Sequence, residues 1–242
     1  MRPLPTRFHF AGRAIAAVVC DVDGLLVDSE SLYKCAWQET GAELGHPLRD
    51  EVFAAFIGVP EARCGELLLE LFGADFPLAG FAAGWHARVE RWAQHGMPRK
   101  PGVDALLAAM AAYDVPLAVA TAATRHSLER NLRPLDVAGR FAAVVTADDV
   151  DRSKPDPQTY HAACRAIGSA PERTLALEDS NNGMRAAIAA GCVAVMVPDI
   201  LPADEDVAAG ATAICPDLDT VLACCAWVEP QGRLDLTLDN IR

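Results

Sequence analysis

Ala14-Ile15-Ala16-Ala17-Val18-Val19-Cys20-Asp21-Val22-Asp23-Gly24 is the stretch that decides the fold. Its apolar part is strand-length and has no polar alternation. Such a run reads as a strand buried on both faces, the usual state inside a parallel sheet. Two carboxylates at its C-terminal end are costly there unless a cation or an electrophile uses them. Open α/β sheets place their ligand crevices at that end of the strands. The stretch therefore joins a central strand to a pair of acids at the edge where ligands bind.

Outward from it lie four more apolar runs of strand length, at 115–121, 141–146, 174–179 and 192–197. Between them, 102–112, 125–133, 157–167 and 182–190 have helical spacing. Strands alternating with helices predict βαβ units, and right-handed crossovers put helices on both faces of a parallel, Rossmann-like sheet. The interval 32–98 breaks the rhythm, with candidate helices at 30–44, 61–72 and 80–95 and no strand pattern. Phe81, Trp85, Val89 and Trp92 form one apolar helical stripe, read as core packing. The expected organisation is an α/β core of residues 1–31 and 99–242, interrupted by an all-helical cap domain at 32–98. Pro98 and Pro101-Gly102 mark the return. Hung over the crevice, such a cap can exclude water and choose the substrate.

Residues 1–13 are expected to be a poorly ordered leader to the first strand. Arg2, Arg7 and Arg13 ahead of an apolar run superficially suggest an export signal, but the run is short and ends in Asp-Val-Asp-Gly, not a small neutral cleavage site.

At 242 residues, with 52% hydrophobic residues, the chain suits one α/β domain with an insertion. A formal charge of −12 and no basic stripe argue against a nucleic-acid partner. No segment is long enough to span a bilayer, so no membrane association is expected. Eight scattered cysteines without a C-x-x-C pair read as buried, reduced thiols of a cytoplasmic protein. A monomer or weak dimer is the default assembly.

Four places carry chemistry, each at a predicted strand end or in the loop after it. Of Asp21 and Asp23, one can act as a nucleophile while the other serves as general acid and base. Thr121 ends its strand with a hydroxyl and following backbone N–H groups able to bind an anion. Lys154, before a proline-stiffened helix entry, is a point charge suited to a phosphoryl oxygen. Glu178 and Asp179 can complete an all-oxygen site for a hard divalent cation, Mg²⁺ above all. Singly each has a plain alternative: turn or capping residues for the acids, a strand terminus for Thr121, a solvated loop charge for Lys154. Together, in this order at successive strand ends, chance explains them poorly.

With these residues the chain resembles the haloacid dehalogenase superfamily of phosphohydrolases, in the helical-cap branch that includes β-phosphoglucomutase and phosphoglycolate phosphatase. The resemblance rests on DVDGLLVDSE at 21–30, the threonine of AVATAAT, KPDP at 154–157 and LEDSNNG at 177–183, and covers about residues 14–225. It implies a Mg²⁺-dependent phosphatase that hydrolyses a small phosphate monoester, such as a sugar phosphate, through an aspartyl-phosphate. Asp21 would be the nucleophile and Asp23 the acid and base. Thr121, the Ala122 backbone N–H and Lys154 would bind the phosphoryl group. The metal would rest on Asp21, the Asp23 carbonyl, Asp179 and Glu178, the last directly or through water. Many relatives carry serines where Ala122-Ala123 stand, so a hydroxyl contact is lost here.

Within that family, dehalogenases and phosphonate hydrolases lack an aspartate at the position of Asp23. A β-phosphoglucomutase-like mutase is the nearest alternative. That subgroup carries a histidine where this chain has Tyr33, and an arginine just after the pair matching Gly58-Val59, where Arg63 is displaced. No lysine occurs between 35 and 99 to hold a second phosphate. These differences favour hydrolysis. A further alternative, a non-catalytic protein that binds phospho-ligands or a partner, predicts damage at Asp21, Asp23, Lys154 or Asp179, and none is present. Arg88 and Arg91 read as a solvated helix face and His46 as a surface loop residue; Tyr33, His86 and His95 are given no role.

Overall fold

The computed structural model describes residues 4–57, 59, 61–94, 97–132 and 139–228. Its first strand, β1 (Phe8–Phe10), corrects the expectation of a poorly ordered leader. β1 pairs antiparallel with β2 (Arg13–Ile15) through a two-residue turn, Ala11-Gly12, in which both residues have positive φ. Both positive values match the right-handed twist of a tight hairpin. On its other side β1 pairs with β9 (Cys225–Trp227), setting Phe8 opposite Trp227. Phe8 and Phe10 alternate inward and are buried, and the Trp227 ring lies 4.9 Å from Phe8 and stacks on Tyr113. The missed signal was period-two burial, Phe-x-Phe, closed by an X-Gly turn.

The predicted first strand is therefore two. After Ile15 the chain leaves the small sheet and enters β3 (Ala17–Cys20), all four residues buried. β3 sits inside a six-stranded parallel sheet with β4 (Leu117–Ala120), β5 (Ala143–Val145), β6 (Thr174–Glu178), β7 (Val193–Met196) and β8 (Ala213–Ile214), in the order β5-β4-β3-β6-β7-β8. Val19 lies opposite Ala118 on one side and Ala176 on the other. The strand order reverses at β3, so its C-terminal end opens a crevice between β4 and β6.

The strand pleat divides the core. Val18 and Cys20 join Leu117, Leu175 and Val195 on one face, packed under α5 (Val103–Ala112). Ala17 and Val19 join Ala118, Ala120 and Ala176 on the other. That second face is rich in alanine, and it takes Tyr160 of α7 (Gln158–Ala166) and Met184 of α8 (Asn181–Ala189). The parallel sheet flanked by helices is thus as the sequence pattern predicts.

Between β3 and α5 run α1 (Ser29–Glu43), α2 (Asp50–Ala54), α3 (Glu61–Phe72) and α4 (Leu78–Ala93), with no strand element among the described residues. They enclose their own cluster around Trp37, whose ring meets Phe53, Phe56 and Phe81 edge-on. The stripe on α4 is core: Phe81 and Val89 are buried, Trp85 and Trp92 half-buried. Arg88 is not on a solvated face, because its guanidinium binds Glu39 and Glu43 of α1, leaving its side chain 12% exposed. His46 likewise is half-buried, its ring against Phe72 and Phe76. None of the eight cysteines is in a disulfide; six are buried, while Cys35 and Cys224 are exposed. Gly58, Pro60, His95, Arg133 and the tail from 229 onward lie outside the described residues. Among the described residues no helix is long and apolar enough to cross a membrane.

Candidate active site

Strand ends bring the predicted residues together. Asp21 follows β3, Thr121 follows β4, and Glu178 ends β6 with Asp179 next. All line one cavity of about 380 Å³, except Glu178, which is fully buried beneath it; Ala122, Lys154 and Asp23 also line it.

Lys154 is the hub. Its Nζ donates to Asp21 Oδ1 at 2.6 Å and to the Ala120 carbonyl at 2.8 Å, and it also binds Glu178 Oε1. The Tyr160 hydroxyl donates to the same Glu178 oxygen at 2.8 Å, and the Ser180 hydroxyl to the other at 3.1 Å. Ser180 caps α8 by accepting from the Gly183 N–H. Glu178 is thus a buried anchor for the lysine. Burial alone would lower the Lys154 ammonium, but the Asp21 and Glu178 carboxylates beside it outweigh that and raise it. It stays charged.

Asp21, Glu178 and Asp179 offer carboxylate oxygens that all lie within 4.8 Å of one another. Fully ionised, the three carboxylates would leave a local charge of −2 against the one ammonium. Burial, with the charges of Glu178 and Asp23, pushes Asp21 up to about 7 despite Lys154. Burial and the Asp21 charge hold Asp179 well above its ordinary range. This cluster of carboxylate oxygens, with Asp21 and Glu178 buried and Asp179 half-buried, fits a hard divalent cation that would favour their ionised forms. Gly24, at φ +83°, keeps the space clear, since a side chain there would run into the Asp179 carboxylate.

Thr121 is buried, and its Oγ1 accepts from the Ala123 N–H at 3.0 Å. Its own hydroxyl proton is therefore a donor for an anion in the cavity. Asp23 lies two residues beyond Asp21. Its Oδ1 accepts from the Asn131 amide at 2.6 Å, and burial raises its carboxyl.

Sequence reasoning missed several members. Asn131, buried on α6 (Arg125–Leu132), lay in a segment read only as a helix. Tyr33, given no role, accepts from both Asn131 and Arg130. Glu30 also lines the cavity, and burial together with Asp23, Asp199 and Asp28 pushes it up to about 7. Asp199 lines it too, paired with Lys100 at 2.5 Å. Asp199 stands just past the strand at 193–196, so the rule that found Asp21 could have found it; nothing local marked Asn131.

Comparison with known proteins agrees with this geometry. A family model described as haloacid dehalogenase-like hydrolase matches residues 18–197. A phosphorylated carbohydrates phosphatase of Thermotoga maritima is 31% identical over 175 residues, covering 72% of this chain and 81% of that protein. Hexitol phosphatase B of Escherichia coli K12 is 31% identical over 192 residues, 77% of this chain and 85% of its own length. Among solved structures, a candidate β-phosphoglucomutase from Thermotoga maritima superposes with a TM-score of 0.73 at 31% identity, covering 86% of this chain and 97% of that one.

Proposed function

Because this chain belongs to the haloacid dehalogenase-like hydrolase family, we propose that it is a cytoplasmic phosphatase of small phosphate monoesters, with a sugar or polyol phosphate as its substrate class. The observation that carries the reading is the Lys154 ammonium held between Asp21 and Glu178, in a cavity that Asp179 and Asp23 also line. Relatives named for phosphorylated carbohydrates and hexitols support the substrate class. A cavity of about 380 Å³ suits a small metabolite. Eight cysteines outside any disulfide suit a reducing compartment.

Mg²⁺ would be held by Asp21, Asp179 and the Asp23 carbonyl, with Glu178 directly or through water, and when bound would supply positive charge against the repulsion between an anionic nucleophile and a dianionic ester. Lys154, the Thr121 hydroxyl and the Ala122 N–H grip the phosphoryl oxygens. An Asp21 oxygen attacks phosphorus in line, and the bond to the ester oxygen breaks. Asp23 gives its proton to that departing oxygen, so the product leaves as an alcohol. The resulting aspartyl-phosphate is hydrolysed by a water whose proton returns to Asp23, which restores both carboxyl groups and releases phosphate.

We assign residues 32–98 as the cap and 1–31 with 99–242 as the catalytic core. The separate aromatic cluster around Trp37 supports this division. So does the antiparallel pairing of the two connecting segments, where Asp28 N–H donates to Pro98 and Lys100 N–H to Leu26. The mutase alternative needs cap cations for a second phosphate. Arg63 is instead exposed and paired with Glu66 and Glu70, and Arg88 is held by Glu39 and Glu43.

A phosphate-release screen over sugar, polyol and carboxylic-acid monophosphates, with and without Mg²⁺, tests the proposal. Mg²⁺-dependent release that disappears in Asp21→Asn is expected. No release from any ester, or isomer formation without phosphate, would overturn it.

A further inference from the structure

Asp23 is not left to find its own orientation. Asn131, with no exposed surface, gives its amide N–H to Asp23 Oδ1 at 2.6 Å. Three contacts fix that amide. Its Oδ1 accepts from Arg130 Nε at 3.0 Å, so the flipped arrangement is excluded and the NH₂ must face the carboxylate. Its Nδ2 also reaches the Tyr33 hydroxyl at 3.2 Å, and Arg130 Nη2 donates to that hydroxyl at 3.0 Å. Leu128 and Asn131 are the buried positions of α6, one turn apart, so a polar amide occupies what is otherwise an apolar helix face. A buried amide in such a place is destabilising unless its hydrogen bonds are met, and here they are met by the site.

We propose that Asn131 is a positioning residue that presents Asp23 to the leaving oxygen of the substrate, with Tyr33 bracing it. An N–H that points at Oδ1 occupies that oxygen as acceptor. The transferable proton is thereby confined to Oδ2, and the carboxyl plane cannot rotate away. Tyr33 belongs to α1 and Asn131 to α6, so the brace also ties the acid to the first helix of the proposed cap. The proposal rests on the phosphatase reading and adds to it the device that aims the proton.

A leaving-group comparison tests it. An alkoxide must be protonated as it departs, whereas a nitrophenolate leaves well without help. The kcat/KM for each ester reports the steps up to departure and excludes the later hydrolysis of the intermediate. In Asn131→Leu, kcat/KM for a hexitol phosphate is expected to fall on the order of 10- to 100-fold, a part of what a general acid supplies. The loss for p-nitrophenyl phosphate is expected to be at least tenfold smaller. Asn131→Gln, which can still donate, is expected to recover part of the alkyl-ester rate. Tyr33→Phe keeps the ring against Trp85 and should show the same selectivity with a smaller loss. Equal losses on both esters in Asn131→Leu and Tyr33→Phe, or no loss in either, would overturn the role of Asn131. The alkyl ester used is one the wild type turns over in the phosphate-release screen; a wild type inactive on every ester of that screen would instead overturn the phosphatase reading itself.

Discussion

Replacing Asp21, the proposed nucleophile, should make the metal-free protein more stable. Asp21 is 6% exposed and shares its pocket with Glu178 and Asp179, against the single Lys154. Burial, with the charges of Glu178 and Asp23 and against that of Lys154, moves its carboxyl from 3.8 to about 7, which at ~1.4 kcal/mol per decade is an upper limit of ~4 kcal/mol of destabilisation once ionised. The folded value lies above the unfolded one. The stability that the protonated group contributes is therefore full below about pH 4 and is lost as pH rises towards about 7. Asp21→Asn removes the charge but keeps the shape. Lys154 loses one charged acceptor, while Glu178 and the Ala120 carbonyl remain, so the net gain is expected near ~2 kcal/mol at about pH 8. For a chain of this length that is roughly 4–8 °C in Tm. Calorimetric melts in a chelating buffer check it at about pH 5 and pH 8. The variant should melt higher at the upper pH, and the gap should close at the lower. Added Mg²⁺ should raise the wild type and leave the variant nearly unmoved. A variant that melts below wild type at high pH, or a gap independent of pH, would refute the reasoning.

Two further changes probe the scaffold. Gly183→Ala would drive a methyl into the Glu178 carboxylate, so ~1–3 kcal/mol of stability and on the order of tenfold or more in kcat should be lost, read by urea melts and phosphate release. Phe8→Ala empties a fully buried site between Ile15 and Trp227, and should cost ~3–5 kcal/mol in denaturant melts while kcat at low temperature stays near wild type; a loss under ~1 kcal/mol would mean that β1 is not part of the core.

The five runs legible as strands were legible because parallel strands are buried on both faces and read as continuous apolar stretches. β1 and β9 escaped because they are three residues each and pair across more than 200 residues of chain. Arg88 escaped for a related reason: helical spacing shows that a charge leaves the apolar stripe, but not that a neighbouring helix waits there with Glu39 and Glu43.

The sequence by itself determined the α/β class, the helical insertion, and the set Asp21, Asp23, Thr121, Lys154, Glu178 and Asp179. Strand ends are local features, and a costly carboxylate beside a buried run is visible without knowing what it meets. The tertiary structure alone decided which partners hold those groups. Glu178 anchors Lys154 through a carboxylate that also takes Tyr160 and Ser180, and Asn131 reaches Asp23 across 108 residues of chain. Contacts of that kind depend on which helix packs over which strand end, and a burial pattern records that a residue is inside without recording its partner.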